Sequence, residues 1–258
     1  AGRRIWVGNF QTMRVFSGSV ISRARAKNWS VAVVDNKPFG GTCALRGCHP
    51  KKMLRSAAEA ADWSERMRGK GFAPGDWRID WKELMAFKRT DTGGTPDFFE
   101  KMFKEQGIDT YHGAARFSGK NEITVGEDVL EGKQILIATG AEPMKLPIEG
   151  VEHLILSDDF LELEELPKRL IFVGGGFISF EFAHIAARAG SEVTILHRGE
   201  QVLGPFDPDI VDILLKRSRV LGIKIVLGAE VKAIEKSDES IVVRATVDGA
   251  EQAFTADT

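Results

Sequence analysis

Apolar residues along the chain fall into two rhythms. Short, mainly apolar runs of strand length recur at Val31-Ala32-Val33-Val34, at 134–138, at Leu170-Ile171-Phe172-Val173, at Val193-Thr194-Ile195-Leu196 and at 223–227. Each has glycine or a charged residue on at least one side, as short buried strands do. Between these runs the period lengthens to three or four. Residues 19–29, 52–70, 81–88, 97–106, 177–189 and 207–221 are predicted helices, the second with Met53, Leu54, Ala57, Ala60, Ala61 and Met67 at helical spacing. A loop is expected at 91–96 and single strands at 5–10 and 109–117. Strict alternation returns at 240–247 and 251–255, joined by Asp248-Gly249, a hairpin signature.

Strands that alternate with helices predict an α/β fold with parallel sheets. Pro143 and Pro147 read as a linker, so the expected division is a first domain over 1–147 and a second over 148–258. The second opens with the sharper motif. Leu170 to Val173 lead into Gly174-Gly175-Gly176-Phe177-Ile178-Ser179, a helix and another strand. Strand, Gly-x-Gly-x-x-Ser, helix and strand in one unit is a dinucleotide-binding signature, because glycine lets the backbone approach a pyrophosphate at a helix N-terminus. Ser179 is small enough for the third position, which serves only helix packing. At the end of the next strand NAD sites offer a carboxylate to the ribose. Here stand His197 and Arg198. Arginine can grip a phosphate with two parallel hydrogen bonds, which favours NADPH over NADH.

Composition narrows the class. The chain has 258 residues, 43% of them hydrophobic, with 35 basic against 37 acidic side chains and a formal charge of −2. That balance argues against a nucleic-acid or membrane footprint. No apolar stretch approaches the roughly 20 residues of a membrane span, and no signal-peptide core opens the chain, so a cytoplasmic setting is the default expectation.

The only two cysteines sit in Gly40-Gly41-Thr42-Cys43-Ala44-Leu45-Arg46-Gly47-Cys48-His49-Pro50-Lys51-Lys52, directly after the strand that ends at Asp35. A close thiol pair in a reducing compartment is more readily cycled than stapled. An undistorted helix would hold positions 43 and 48 roughly 8–9 Å apart between Cα atoms, against the limit of about 7 Å for a disulfide, so the segment must bend. Gly47 allows the bend. Pro50 suits the start of a new helix, whose amides, with Lys51, lie close behind Cys48. Two inert buried thiols are the plain alternative. A zinc site is disfavoured, because no second Cys or His pair stands at ligand spacing.

This segment resembles the redox-active motif of the flavoprotein disulfide reductases, the group of glutathione reductase, mercuric reductase and dihydrolipoamide dehydrogenase. The resemblance covers most of residues 18–258. It implies two three-layer dinucleotide-binding domains of FAD and NAD(P) type and a dimerisation domain that this chain lacks. By that likeness Cys43 is the interchange thiol, Cys48 the thiol in contact with flavin, and Lys51 and Glu181 an ion pair supporting the flavin. Asp35, Gly41, Thr42, Ala115 and the Ala138-Thr139-Gly140 turn fall where the family binds FAD. Gly174, Gly176, Phe177, Ile178, Ser179, His197 and Arg198 fall where it binds the nicotinamide coenzyme, with Phe177 at the place of a covering aromatic residue.

Counting back from Asp35 puts the family's first glycine triplet at Thr12, Arg14 and Ser17, none of them glycine, so the first phosphate turn departs from the pattern. The resemblance further implies that a second FAD segment and a His-Glu acid/base pair lie beyond residue 258. The chain is thus expected to be a fragment, roughly the N-terminal three-fifths, of a homodimeric NADPH-dependent reductase of small-molecule disulfides. Catalytic incompetence of the fragment alone is expected with it. Alternatives are a non-catalytic nucleotide-binding module and a mercuric or other metal-ion reductase of the same family.

Overall fold

The computed structural model describes residues 4–7, 17–72, 75, 78–237 and 240–257. The chain divides into two compact units, Ala1–Lys52 with Phe87–Pro143, and Met53–Ala86 with Met144–Thr258. Residues 53–86, read from the sequence with the first domain, therefore group with the second unit.

In chain order the first half contains β1 (Arg4–Val7), α1 (Ser17–Ala26), β2 (Val31–Asp35), α2 (Cys48–Arg66), α3 (Trp81–Thr92), α4 (Thr95–Glu105), β3 (Asp109–His112), β4 (Ala115–Gly119), β5 (Glu122–Val125), β6 (Asp128–Glu131) and β7 (Ile135–Ile137). Strands β3-β2-β1-β7 form a parallel sheet in that order, with Arg4 opposite Val31 and Ala32 opposite Asp109. The two-residue period of β2 builds three layers from it. Val31 and Val33 pack with Ile21 and Ala24 of α1 and Phe103 of α4, whereas Val34 packs with Ile123, Val125 and Leu130 of the antiparallel β4-β5-β6 sheet.

Two expectations are corrected here. The single strand at 109–117 is two strands in different sheets, parted at Gly113 (φ 148), where a Cβ would stand 3.0 Å from a Val125 methyl carbon. The loop at 91–96 shrinks to Gly93 and Gly94. A Cβ on Gly93 would lie 2.8 Å from the Arg89 carbonyl oxygen, and Pro96 sits in the first turn of α4, where its missing N–H costs nothing.

The second half contains α5 (Ser157–Phe160), β8 (Arg169–Val173), α6 (Phe177–Arg188), β9 (Glu192–Leu196), α7 (Pro208–Val220), β10 (Lys224–Val226), β11 (Glu230–Lys236), β12 (Ile241–Val247) and β13 (Ala250–Ala256). Strands β10-β9-β8 are parallel and β11-β12-β13 antiparallel. Alternation again sorts the faces. Leu170, Phe172, Val193, Ile195 and Ile225 join the helical core of Leu54, Met85, Phe180, Phe182 and Ala183, while Ile171, Leu196 and Val226 join the side chains of the antiparallel sheet. Asp248 (φ 51) and Gly249 (φ 80) make the tight turn between β12 and β13, the left-handed pair that a two-residue hairpin requires. Asp207 caps α7, its carboxylate accepting from the Asp209 and Ile210 amides at 2.9 and 3.4 Å.

Candidate active site

The chain leaves β2 through buried Phe39 and two glycines in the left-handed region, Gly40 (φ 137) and Gly41 (φ 69). A Cβ on Gly40 would come within 2.9 Å of the Thr95 methyl and 3.0 Å of Leu45, so α4 and the cysteine loop close on one another only because this residue is bare. One wide π-helical turn follows, Thr42–Arg46, and Gly47 ends it. A side chain on Gly47 would stand 2.9 Å from the Thr42 carbonyl oxygen. The bend expected between the cysteines is a π turn, with Cys43 inside it and Cys48 two residues past its end. Helix α2 begins at Cys48 itself, two residues before the expected Pro50, and the Lys51 amide donates to the Gly47 carbonyl at 3.1 Å. Cys43 is half-buried and Cys48 exposed.

A cavity of about 290 Å³ opens beside Cys43. His49, the last turn of α3 at Asp91 and the start of α4 at Gly94, Phe98 and Phe99 complete its wall. His49 Nδ1 lies 3.2 Å from Asp91 Oδ2, with 29% and 45% of the two side chains exposed. Phe98 is 63% exposed and meets Phe99 edge-on at 5.6 Å. Phe99 contacts Phe103 at 6.3 Å, and Phe103 meets Phe39 at 5.7 Å. The cavity wall is thereby tied to the core of the first unit.

Other predicted positions of the first unit gather at the C-terminal ends of its parallel strands, where open α/β sheets take ligands. Asp35 closes β2, is 2% exposed and accepts from the Lys37 amide at 2.9 Å. Ala138, Thr139 and Gly140 (φ 76) follow β7, and Ala115 opens β4. Thr12 and Arg14 lie outside the described residues, and Ser17 is the first residue of α1. Lys51 belongs to the first unit and Glu181 to the second. Glu181 is half-buried on α6 between buried Phe180 and Phe182.

In the second unit Gly174 (φ 105) turns the chain out of β8, and Gly176 precedes the first residue of α6. A Cβ on either would meet open space, which leaves the helix amides approachable by a phosphate. Phe177 and Ile178 are exposed on the first turn of that helix, 53% and 44%, with Ser179 beside them. Gly175 is the sterically demanding member, since a Cβ there would collide with Val202 and fall 3.0 Å from the His197 ring. The Gly175 amide donates to His197 Nδ1 at 3.1 Å, so the ring proton is on Nε2 and is donated to the Gln201 carbonyl at 2.9 Å. Both ring nitrogens of His197 are thus engaged by backbone. Arg198 is exposed.

The sequence model of a family described as Pyridine nucleotide-disulphide oxidoreductase matches residues 18–258. The chain belongs to that family. Its relatives include a glutathione reductase of Burkholderia cepacia, 34% identical over 216 residues that make up 84% of this chain and 48% of the relative. A mercuric reductase of Lysinibacillus sphaericus is 31% identical over 230 residues, 88% of this chain and 42% of the relative. Among solved structures, the HOCl-induced flavoprotein disulfide reductase RclA from Escherichia coli, in its Cu(II) complex, superposes with a TM-score of 0.81 at 27% identity, covering all of this chain and 55% of that one. The chain spans about half the length of the curated relatives it matches.

The pyridine nucleotide-disulphide oxidoreductase match begins at residue 18, where the sequence reading placed the return of the resemblance. What sequence reading missed is His49 with Asp91, and Gly175. His49 stands in the recognised motif, but its partner is 42 residues away, and no spacing rule joins a helix-initiating segment to the end of a later helix. Gly175 occupies a variable place of the glycine motif, and its constraint arises from Val202, far along the chain.

Proposed function

We propose that this chain carries the dithiol and nucleotide sites of an NADPH-dependent flavoprotein reductase acting on small-molecule disulfides, the whole enzyme working as a homodimer. The observation that supports the reading best is the glycine-bounded π turn that sets Cys43 in the wall of a cavity of about 290 Å³ and leads directly to Cys48 at the start of α2. FAD and NADPH, when bound, supply the reducing equivalents. Asp35, Gly41, Thr42, Ala115 and the 138–140 turn are the residues that would hold the first. Gly174, Gly176, Phe177, Ile178, Ser179 and Arg198 would hold the second, with His197 bracing the turn. Lys51 and Glu181 remain the proposed flavin-supporting pair.

In the dithiol state the Cys43 thiolate attacks one sulfur of the substrate. The Cys43–sulfur bond forms as the substrate S–S bond breaks and the first thiol leaves. Cys48 then attacks Cys43, the second thiol leaves, and the protein disulfide closes. Mild oxidation of the purified chain by diamide is expected to give one intramolecular Cys43–Cys48 bond, read by peptide mass mapping. In Cys48→Ser, glutathione disulfide is expected to leave one glutathionyl group on Cys43. A chain that yields only intermolecular links, or no link, would sink the proposal.

A further inference from the structure

Both main-chain polar groups of Gly175 are engaged by one short loop. Its amide donates to His197 Nδ1 at 3.1 Å, and its carbonyl accepts from the Leu203 amide at 2.9 Å. Between those two bonds the loop passes through Gln201, whose carbonyl accepts from His197 Nε2 at 2.9 Å, and Val202, which fills the space where a Cβ of Gly175 would stand. Gly199 must be bare as well, since a Cβ there would come within 2.9 Å of Nε2. Val202 and Leu203 are buried in the core of the second unit, and Leu203 holds φ 54, a left-handed conformation that a leucine adopts only where its surroundings impose it. Residues 197–203 therefore form a strap across the glycine turn, with both ends fastened to a single residue of it.

We infer that His197 is a positioning residue for the coenzyme: it holds the glycine turn in its phosphate-binding shape before coenzyme arrives and touches no part of the coenzyme itself. The inference rests on the reading of residues 174–198 as the NADPH site. His197 stands at the strand end where NAD sites offer a carboxylate to the ribose, yet both of its ring nitrogens are spent on main chain. With the Gly175 amide also spent, the amides that face a pyrophosphate are those of the first turn of α6, from Phe177 to Ser179, ahead of the bond from the Phe180 amide to the Gly176 carbonyl. A turn already set in place costs the coenzyme no ordering on arrival. Arg198 is held by other means. The His197 amide donates to Val226 and the Ala229 amide to His197, both at 2.9 Å, so the backbone that carries Arg198 is fixed without the ring. The ring thus acts on the pyrophosphate turn, which serves NADPH and NADH alike, and not on the residue that would read the 2′-phosphate.

The two coenzymes supply the test. Each is titrated calorimetrically into the unaltered chain, into His197→Leu, which fills a similar volume without polar atoms, and into His197→Gln, whose carboxamide accepts and donates at once. His197→Leu is expected to weaken NADPH and NADH by the same factor, roughly 10-fold, because the Gly175 amide loses its acceptor. His197→Gln is expected to stay within about threefold of the unaltered chain, a rescue that packing of the ring alone would not produce. A third measurement needs no variant: in the unaltered chain without coenzyme, the Gly175 amide is expected to be protected from hydrogen exchange. Unchanged affinity in His197→Leu, a His197→Gln chain as weak as His197→Leu, or a freely exchanging Gly175 amide overturns the positioning role. A changed preference between NADPH and NADH in His197→Leu overturns it too, since the ring would then meet the 2′-phosphate directly. If the unaltered chain binds neither coenzyme, the coenzyme reading itself fails.

Discussion

Around Asp62 three arginines converge. Arg66 reaches its carboxylate at 2.7 Å, Arg188 at 3.0 Å, and Arg217 also donates to it. Burial pushes the Asp62 pKa up, but the hydrogen bonds from Arg217 and Arg188 outweigh it and hold the carboxyl below its ordinary value. Arg188 also donates to His184 Nδ1 at 3.0 Å, which places the ring proton on Nε2, and that proton goes to Ser218 Oγ at 2.8 Å. Burial, and then the charges of Arg188 and Arg217, lower the His184 pKa from 6.5 to about 4. Below pH 6.5 the unfolded chain takes up a proton that the folded chain refuses, so stability is expected to fall as pH drops from 6.5 toward 4. With allowance for the partial exposure of the ring, the loss is on the order of 1–2 kcal/mol. Denaturant titrations at stepped pH check this, and His184→Gln should flatten the slope in that window. Asp62 acts in the same direction in a more acid range, its contribution being lost only as pH falls through its depressed value. Nothing in the hydrophobic pattern announced this cluster, because Arg188 and Arg217 stand 126 and 155 residues from Asp62 and reach it only once α2, α6 and α7 have packed.

Elements with a strong period were legible in advance, and those decided by a single backbone contact were not. The run at 170–173, the glycine turn, the helix after it and the β12–β13 hairpin all stand near their expected places, since each is specified by neighbouring residues. The 109–117 segment has strand composition throughout, yet Gly113 sends its two halves to different sheets through a contact with Val125. Gly150 is a similar case. It has φ 74, and a Cβ there would collide with the Ile234 carbonyl oxygen, beside the bridge where the Ile234 amide donates to the Glu149 carbonyl at 2.9 Å. Gly150→Ala is therefore expected to lose that bridge and destabilise the second unit by about 1–3 kcal/mol, measured by urea unfolding. A variant as stable as the parent would show that the 149–234 contact is dispensable. The cysteine turn divides the same way. Cysteine spacing forecast a bend, but the choice of a π turn, and the two bare positions at Gly40 and Gly47 that admit it, depend on Thr95, Leu45 and the Thr42 carbonyl.

Across the whole chain, each unit has its own core, and the proposed coenzyme site lies wholly in the second. NADPH at a hundredfold excess over its dissociation constant is expected to stabilise that unit by about 2.7 kcal/mol. Thermal unfolding followed with and without coenzyme reads the effect. Arg198→Ala should weaken the response to NADPH more than the response to NADH, and equal weakening would count against Arg198 as the phosphate-gripping residue. The π turn at Thr42–Arg46 carries a different lesson. Ala44 lies within that turn, directly after Cys43, and borders the cavity. A protein engineer could enlarge or charge that single position to choose which molecules approach Cys43, leaving both thiols unaltered.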